Sequence, residues 1–155
     1  MPVTMEDVRR LLDADEVDYA AGALAFGRDA LPYLESFAKG PDVMLASKSV
    51  YLASLIGGEG SGPILSAAAE SPQPAIRVAA ASGLRNLAEP PVGLVAETVA
   101  DKLLEDADVG VRKVALASAA GLGTAEMTAK VRLAAERDPE PVLRDLATRL
   151  TDGAG

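Results

Sequence analysis

Asp106-Ala-Asp-Val-Gly-Val-Arg112-Lys-Val-Ala115 is the stretch whose reading decides the fold. A polar residue opens it, an aliphatic residue stands before an Arg six positions on, and an Ala follows three later. The same arrangement stands at Asp138-Pro-Glu-Pro-Val-Leu-Arg144-Asp-Leu-Ala147. With Ser in place of the leading Asp, it stands again at Ser71-Pro-Gln-Pro-Ala-Ile-Arg77-Val-Ala-Ala80. The arginines step by 35 residues from 77 to 112 and by 32 from 112 to 144. Self-similarity at such a period marks stacked repeats, each of which buries its apolar face only against its neighbours.

Upstream of each motif lies another amphipathic stretch, at residues 63–70, 92–105 and 125–137, so each period reads as two helices and a tight turn. The second helix of each pair shows an inward stripe at helical spacing: Ile76, Ala80, Gly83, Leu84 and Leu87, then Val111, Ala115, Ser118, Ala119 and Leu122, then Leu143, Ala147 and Leu150. Breaker-rich residues 57–63, 87–93 and 121–125 read as the loops between units. Further back, residues 30–37 and 43–56 form another pair across Lys39-Gly-Pro-Asp42, with Pro32 in a first turn where its missing N–H costs nothing. Thr4-Met-Glu-Asp7 resembles a capping box and opens a helix with Met5, Val8, Leu11 and Leu12 inward. Asp13-Ala-Asp15 is the expected turn, and residues 16–26 the helix that follows it, stopped at Gly27. The expectation is one all-α domain over residues 1–155, built of about five helical hairpins at roughly 1–28, 29–58, 59–90, 91–123 and 124–155.

Composition agrees with thin layers of closely packed helices. The 155 residues are 49% apolar but only 3% aromatic, and Ala supplies roughly a fifth of them. Such a chain can bury enough surface to offset ordering entropy, and Ala combines the best helix propensity with little bulk. The absence of His and Cys excludes imidazole or thiolate metal sites, Ser-His-Asp triads, Cys nucleophiles and disulfides. A net charge of -8 opposes duplex nucleic acid, whose affinity comes mostly from Lys and Arg. No apolar run reaches the roughly 18 residues of a membrane span, and the first ten residues show no secretory pattern. A soluble cytoplasmic protein is expected, with no membrane, nucleic-acid or cofactor partner.

Helix pairs of this length, with Asp at the turn and Arg six residues later, resemble HEAT repeats, including the short HEAT-like variety common in bacteria. The likeness is carried by Asp106 with Arg112 and Asp138 with Arg144, in part by Arg77, where Ser71 replaces Asp, and fades before about residue 58. It implies a right-handed α-solenoid whose second helices line a concave surface. It also implies that Arg77, Arg112 and Arg144 work in a structural ladder with Asp106 and Asp138, each Arg fork bridging two units. A track for an anionic ligand is the rival reading of those arginines. HEAT-like repeats mostly scaffold or bind, and a fold does not by itself determine function.

Several features invite a sharper reading. The Gly-rich run at residues 57–62 lacks the Gly-Lys-Ser/Thr ending and preceding strand of a phosphate loop, and reads as a loop. Glu6, Asp7, Asp13, Asp15, Glu16 and Asp18 cluster without calcium-loop spacing, and read as a solvated end unit. All five aromatics, Tyr19, Phe26, Tyr33, Phe37 and Tyr51, lie in the first third; Tyr33 and Tyr51 fall off the aliphatic stripes and are candidate contacts. On the second helices, the positions opposite the inward stripe include Ser47, Val50, Tyr51, Ser54, Val78, Ala81, Ser82, Arg85, Lys113 and Leu116. That row reads as a modestly apolar, mildly basic groove suited to a peptide or helix. The expected function is therefore a non-catalytic module that binds a partner protein or peptide, a basic one included, with Tyr33, Tyr51, Arg85, Lys113 and Leu116 as contacts.

Two alternatives come from other classes. Some HEAT-like proteins resemble bilin lyases, metal-dependent hydroxylases or DNA-base glycosylases; zero His forbids the hydroxylase type, and the charge opposes the glycosylase type. A lyase-like or cofactor-chaperone role stays open. So does an acidic inhibitor or immunity-type protein that neutralises a basic partner.

Overall fold

The computed structural model describes residues 2–87 and 93–152, and all of their regular structure is helical. Ten α-helices follow in order: α1 Met5–Leu12, α2 Tyr19–Phe26, α3 Leu31–Ala38, α4 Val43–Ile56, α5 Ser61–Ala69, α6 Pro74–Gly83, α7 Gly93–Leu103, α8 Val109–Leu122, α9 Ala125–Arg137 and α10 Pro141–Asp152. A short 3-10 turn at Gly27–Ala30 leads into α3, and another at Leu84–Asn86 extends α6. From the third helix onward, consecutive helices pack as pairs, α3 with α4 through α9 with α10. The second helices stack in a row, α4 on α6 on α8 on α10, with α2 against α4. The chain is an all-helical solenoid.

Local sequence sets the helix ends. Thr4 and Asp7 form a reciprocal capping box at α1, and Asp18, Asp42, Asp108 and Thr124 each accept a hydrogen bond from the backbone N–H three residues on. Pro32 lies in the first turn of α3. Gly57 and Gly58, with φ of 70° and 78°, turn the chain out of α4, a conformation other residues rarely adopt. The loop expected at residues 57–63 is shorter, because Ser61 and Gly62 already belong to α5 and Pro63 sits in its first turn. Most of the loop expected at 87–93 falls on residues 88–92, which lie outside the described residues.

The first unit departs from expectation. Asp18, not a residue near Glu16, caps its second helix, so that helix is short. Met5 is 44% exposed rather than inward, while Val8 and Leu12 are buried. Helix α1 packs on α3 and α4, and its Leu11 lies where a Cβ on Gly22 would stand, so glycine there keeps α2 close.

The core is aliphatic and thin. Ile76, Ala80, Leu84 and Leu87 are buried, as are Val111, Ala115, Ala119, Leu143 and Ala147. Helices α4 and α6 come together at Gly83, where a Cβ would meet that of Ser54 at 2.7 Å. The buried Ser54 hydroxyl donates to the Tyr51 carbonyl at 2.6 Å and accepts from the Asn86 amide at 3.0 Å. Small residues at this seam therefore set the spacing, and polar atoms enter it only with partners.

Candidate functional site

Each second helix buries two faces rather than one. One packs on its own first helix, and the other packs on the neighbouring second helices. Val50, Ala81 and Leu116 hold matching places on α4, α6 and α8, and all three are fully buried in the seam between second helices. Leu116 and Ala81 are thus not exposed groove residues as expected, and Val50 and Ser54 leave the groove for the same reason. The exposed ridge lies one position further around. It runs as two rows, Ser47, Val78, Lys113 and Asp145, and Tyr51, Ser82, Ala117 and Arg149, all half-buried or exposed.

On this ridge a shallow trough of about 450 Å³ is lined by Tyr19, Ser47, Lys48, Tyr51, Ser82 and Arg85. Tyr51 and Arg85 are therefore brought together, with Lys113 exposed further along on α8. The ring of Tyr19 meets that of Tyr51 edge-on, with centroids 4.9 Å apart. Burial pushes the Tyr19 hydroxyl pKa up, and the adjacent Tyr51 adds to the shift, so the Tyr19 phenol is a neutral donor at pH 7. Arg85 reaches the Ser118 hydroxyl at 3.5 Å, and Lys48 donates to the Leu12 carbonyl at 2.8 Å. Tyr33 is elsewhere: it is half-buried against the core and donates its hydroxyl proton to the Val3 carbonyl at 3.2 Å. Its position off the aliphatic stripe reflects a tie to the N-terminal strand of chain, not exposure.

Arg77 and Arg112 meet carboxylates of the next turn. Arg77 donates through Nε and Nη2 to the two Asp106 oxygens at 2.8 and 3.2 Å, and through Nη1 to the Ser71 carbonyl at 2.9 Å. Arg112 repeats this geometry with Asp138 at 3.0 and 3.3 Å and with the Asp106 carbonyl at 2.8 Å. Arg144 departs from the expected ladder: it donates to the Asp138 carbonyl of its own turn at 2.7 Å and has no carboxylate partner among the described residues. Each turn residue also orders its own loop: Asp106 accepts from the Asp108 amide, Asp138 from the Glu140 amide, and Ser71 from the Gln73 amide. The Arg112 and Asp138 side chains are 8% and 2% exposed. A bidentate fork satisfied on every side can hold charges at that depth, whereas a lone charge there is costly. Burial opposes the charge on Asp106, but the Arg77 bonds, the Asp108 amide and the nearby Arg77 and Lys102 charges outweigh it, so its pKa is lowered.

Sequence reasoning missed further ties between units. Lys102 pairs with Glu70 at 3.0 Å and Lys130 with Asp101, joining successive first helices. Their spacings of 32 and 29 residues match the repeat, which is the signal that could have revealed them. Among the described residues, no group of three or more Asp or Glu is arranged to hold a metal ion, and no helix is long and apolar enough to cross a membrane.

No family model matches the chain. No curated protein matches it either. Among solved structures, it is similar to a chain of the complex of CpcE and CpcF of phycocyanin lyase from Nostoc sp. PCC7120. The TM-score is 0.67 and the identity 21%, over 84% of this chain and 85% of that one. The likeness is one of fold, a helical solenoid.

Proposed function

We propose that the chain is a HEAT-like, single-domain, cytoplasmic module of about five hairpins that binds a partner protein without catalysing a reaction. The observation that carries this reading is the ridge trough. Two tyrosines in edge-on contact stand beside Arg85, with Lys113 further along the same ridge, on an otherwise acidic molecule. Tyr and Arg are the residue types that most often dominate binding energy at protein interfaces. Arg77 and Arg112 serve a separate structural purpose, since their donors are already taken. A partner whose contact surface offers carboxylates and an apolar anchor fits the trough best. The test is affinity capture from native lysate with the wild-type chain and with Tyr51→Ala/Arg85→Ala/Lys113→Ala. The expected result is a specific partner lost by the triple variant while its helical circular dichroism is retained, with a melting temperature lowered only by the missing Tyr19–Tyr51 contact, and lost equally by Arg85→Ala/Lys113→Ala at an unchanged melting temperature. Undiminished capture by the triple variant would remove the site.

A second reading rests on the structural likeness alone. The similar chain belongs to a two-protein complex of a phycocyanin lyase, which favours work beside a second protein chain and a pigment-handling role. Visible absorbance on the protein purified from its own cells, retained through gel filtration, is its signature.

A further inference from the structure

The two ends of the row of second helices are finished differently. At the C-terminal end, the seam column of Val50, Ala81 and Leu116 closes with Thr148, an exposed residue whose hydroxyl donates to the Arg144 carbonyl. A polar residue at that place disfavours packing of an aliphatic seam upon it. At the N-terminal end, α2 carries no charged residue in its sequence Tyr-Ala-Ala-Gly-Ala-Leu-Ala-Phe. Its Tyr19, Gly22, Ala23 and Phe26 turn inward, and Ala20, Ala21, Leu24 and Ala25 face out. Counted from the capping Asp, Ala21, Leu24 and Ala25 hold the places that Val111, Val114 and Ala115 hold on α8. There, Val111 and Ala115 are fully buried and Val114 is packed against the core. Leu24 is 89% exposed, the most exposed large hydrophobic side chain among the described residues. The first second helix thus keeps an apolar face, the counterpart of the one by which α8 packs on its own first helix, with no helix upon it, since α1 packs on α3 and α4 instead.

We propose that this face joins two copies of the chain, α2 against α2, about a two-fold axis. Three observations select a second copy in that arrangement. The small side chains of Ala20, Ala21 and Ala25 permit close helix approach, with Leu24 as the central knob. Charge is polarised along the helix: Asp15, Glu16 and Asp18 precede it and Arg28 follows it. Glu16 and Arg28 have no ion-pair partner among the described residues. An antiparallel two-fold pairing sets Arg28 of each copy against the acidic end of the other. Continuation onto the other end of a second copy is disfavoured, because its α10 offers Thr148 in place of an aliphatic residue. A two-fold contact also closes on itself, whereas a head-to-tail one would grow into filaments. One helix of about 12 Å covers far less than the roughly 1,600 Å² of a typical stable interface, so the dimer is weak and concentration-dependent.

Sedimentation equilibrium of the full chain from about 10 μM to about 1 mM tests this directly, that range bracketing a weak dimer. A reversible monomer–dimer equilibrium is expected. Leu24→Glu should weaken it by on the order of tenfold or more while leaving the circular dichroism and melting temperature unchanged, since Leu24 points into solvent. Arg28→Glu should weaken it less, and Glu16→Arg combined with Arg28→Glu should restore it. A monomer at every concentration would overturn the proposal, and so would a dimer indifferent to Leu24→Glu.

Discussion

The C-terminal half of the solenoid and its N-terminal third hold their helices together by different chemistry. Between α6 and α10, successive turns are joined by Arg–Asp forks, half-buried for Arg77 with Asp106 and buried for Arg112 with Asp138. In the second unit, the place of the arginine is taken by Ala46 on α4, which is fully buried. The N-terminal helices are tied instead by single hydrogen bonds to backbone, Tyr33 to Val3 and Lys48 to Leu12, and by the Tyr19–Tyr51 ring contact. Aromatic side chains gather where the arginines are missing. Directional, charge-assisted bonds fix the register of one region, and bulk and edge-on packing fix that of the other. The trough on the ridge opens on the second side of this divide, where its tyrosines do both tasks.

The largest effect is expected at Arg112. Arg112→Ala leaves Asp138 charged and buried without its fork, a change that costs about 3–5 kcal/mol in such settings. A denaturant melt should show it as a lower midpoint, and the loss should exceed that of any single substitution at Tyr33 or Tyr51.

Acid should separate the two regions next. The Asp106 pKa is lower in the folded chain than in the unfolded one, so the stability it contributes is present above the unfolded value and is lost as pH falls through the folded value. The decline therefore begins near the ordinary Asp value of about 4 and deepens below it. Asp106→Asn should flatten that part of the pH–stability profile while lowering stability at pH 7. A profile identical to that of the wild type would separate Asp106 from acid sensitivity.

The smallest effect belongs to the N-terminal third. Tyr33→Phe removes one half-buried hydrogen bond and should cost about 0.5–1.5 kcal/mol. Proteolysis near Val3 should rise with it, while the C-terminal helices keep their resistance.

Much of the architecture is legible from residue type and spacing. Asp42 and Thr124, each followed by a periodic apolar run, mark α4 and α9 to the residue, and the capping box of α1 follows from Thr4 and Asp7. The recurrence of Arg six residues after a turn Asp or Ser marks the places where Arg77 and Arg112 meet the next turn. The candidate site was harder to read, because a helical stripe reveals one buried face and a solenoid's second helix has two. Leu116, Ala81 and Val50 lie opposite the stripe yet pack against neighbouring helices, which no local period encodes. Tyr33 misled for a related reason: its partner is a backbone carbonyl thirty residues away. Tyr51 escaped that error because it sits one position further around α4 than Val50, and Arg85 because it stands in the 3-10 turn that ends α6, over the trough.

Native-state hydrogen exchange on Arg112→Ala tests the division between the two regions most directly. Amides of α8, α9 and α10 should lose protection together, while those of α3 and α4 keep theirs at wild-type levels. Equal loss of protection from α3 through α10 would contradict it, and would mean that the forks fasten the whole molecule as one unit.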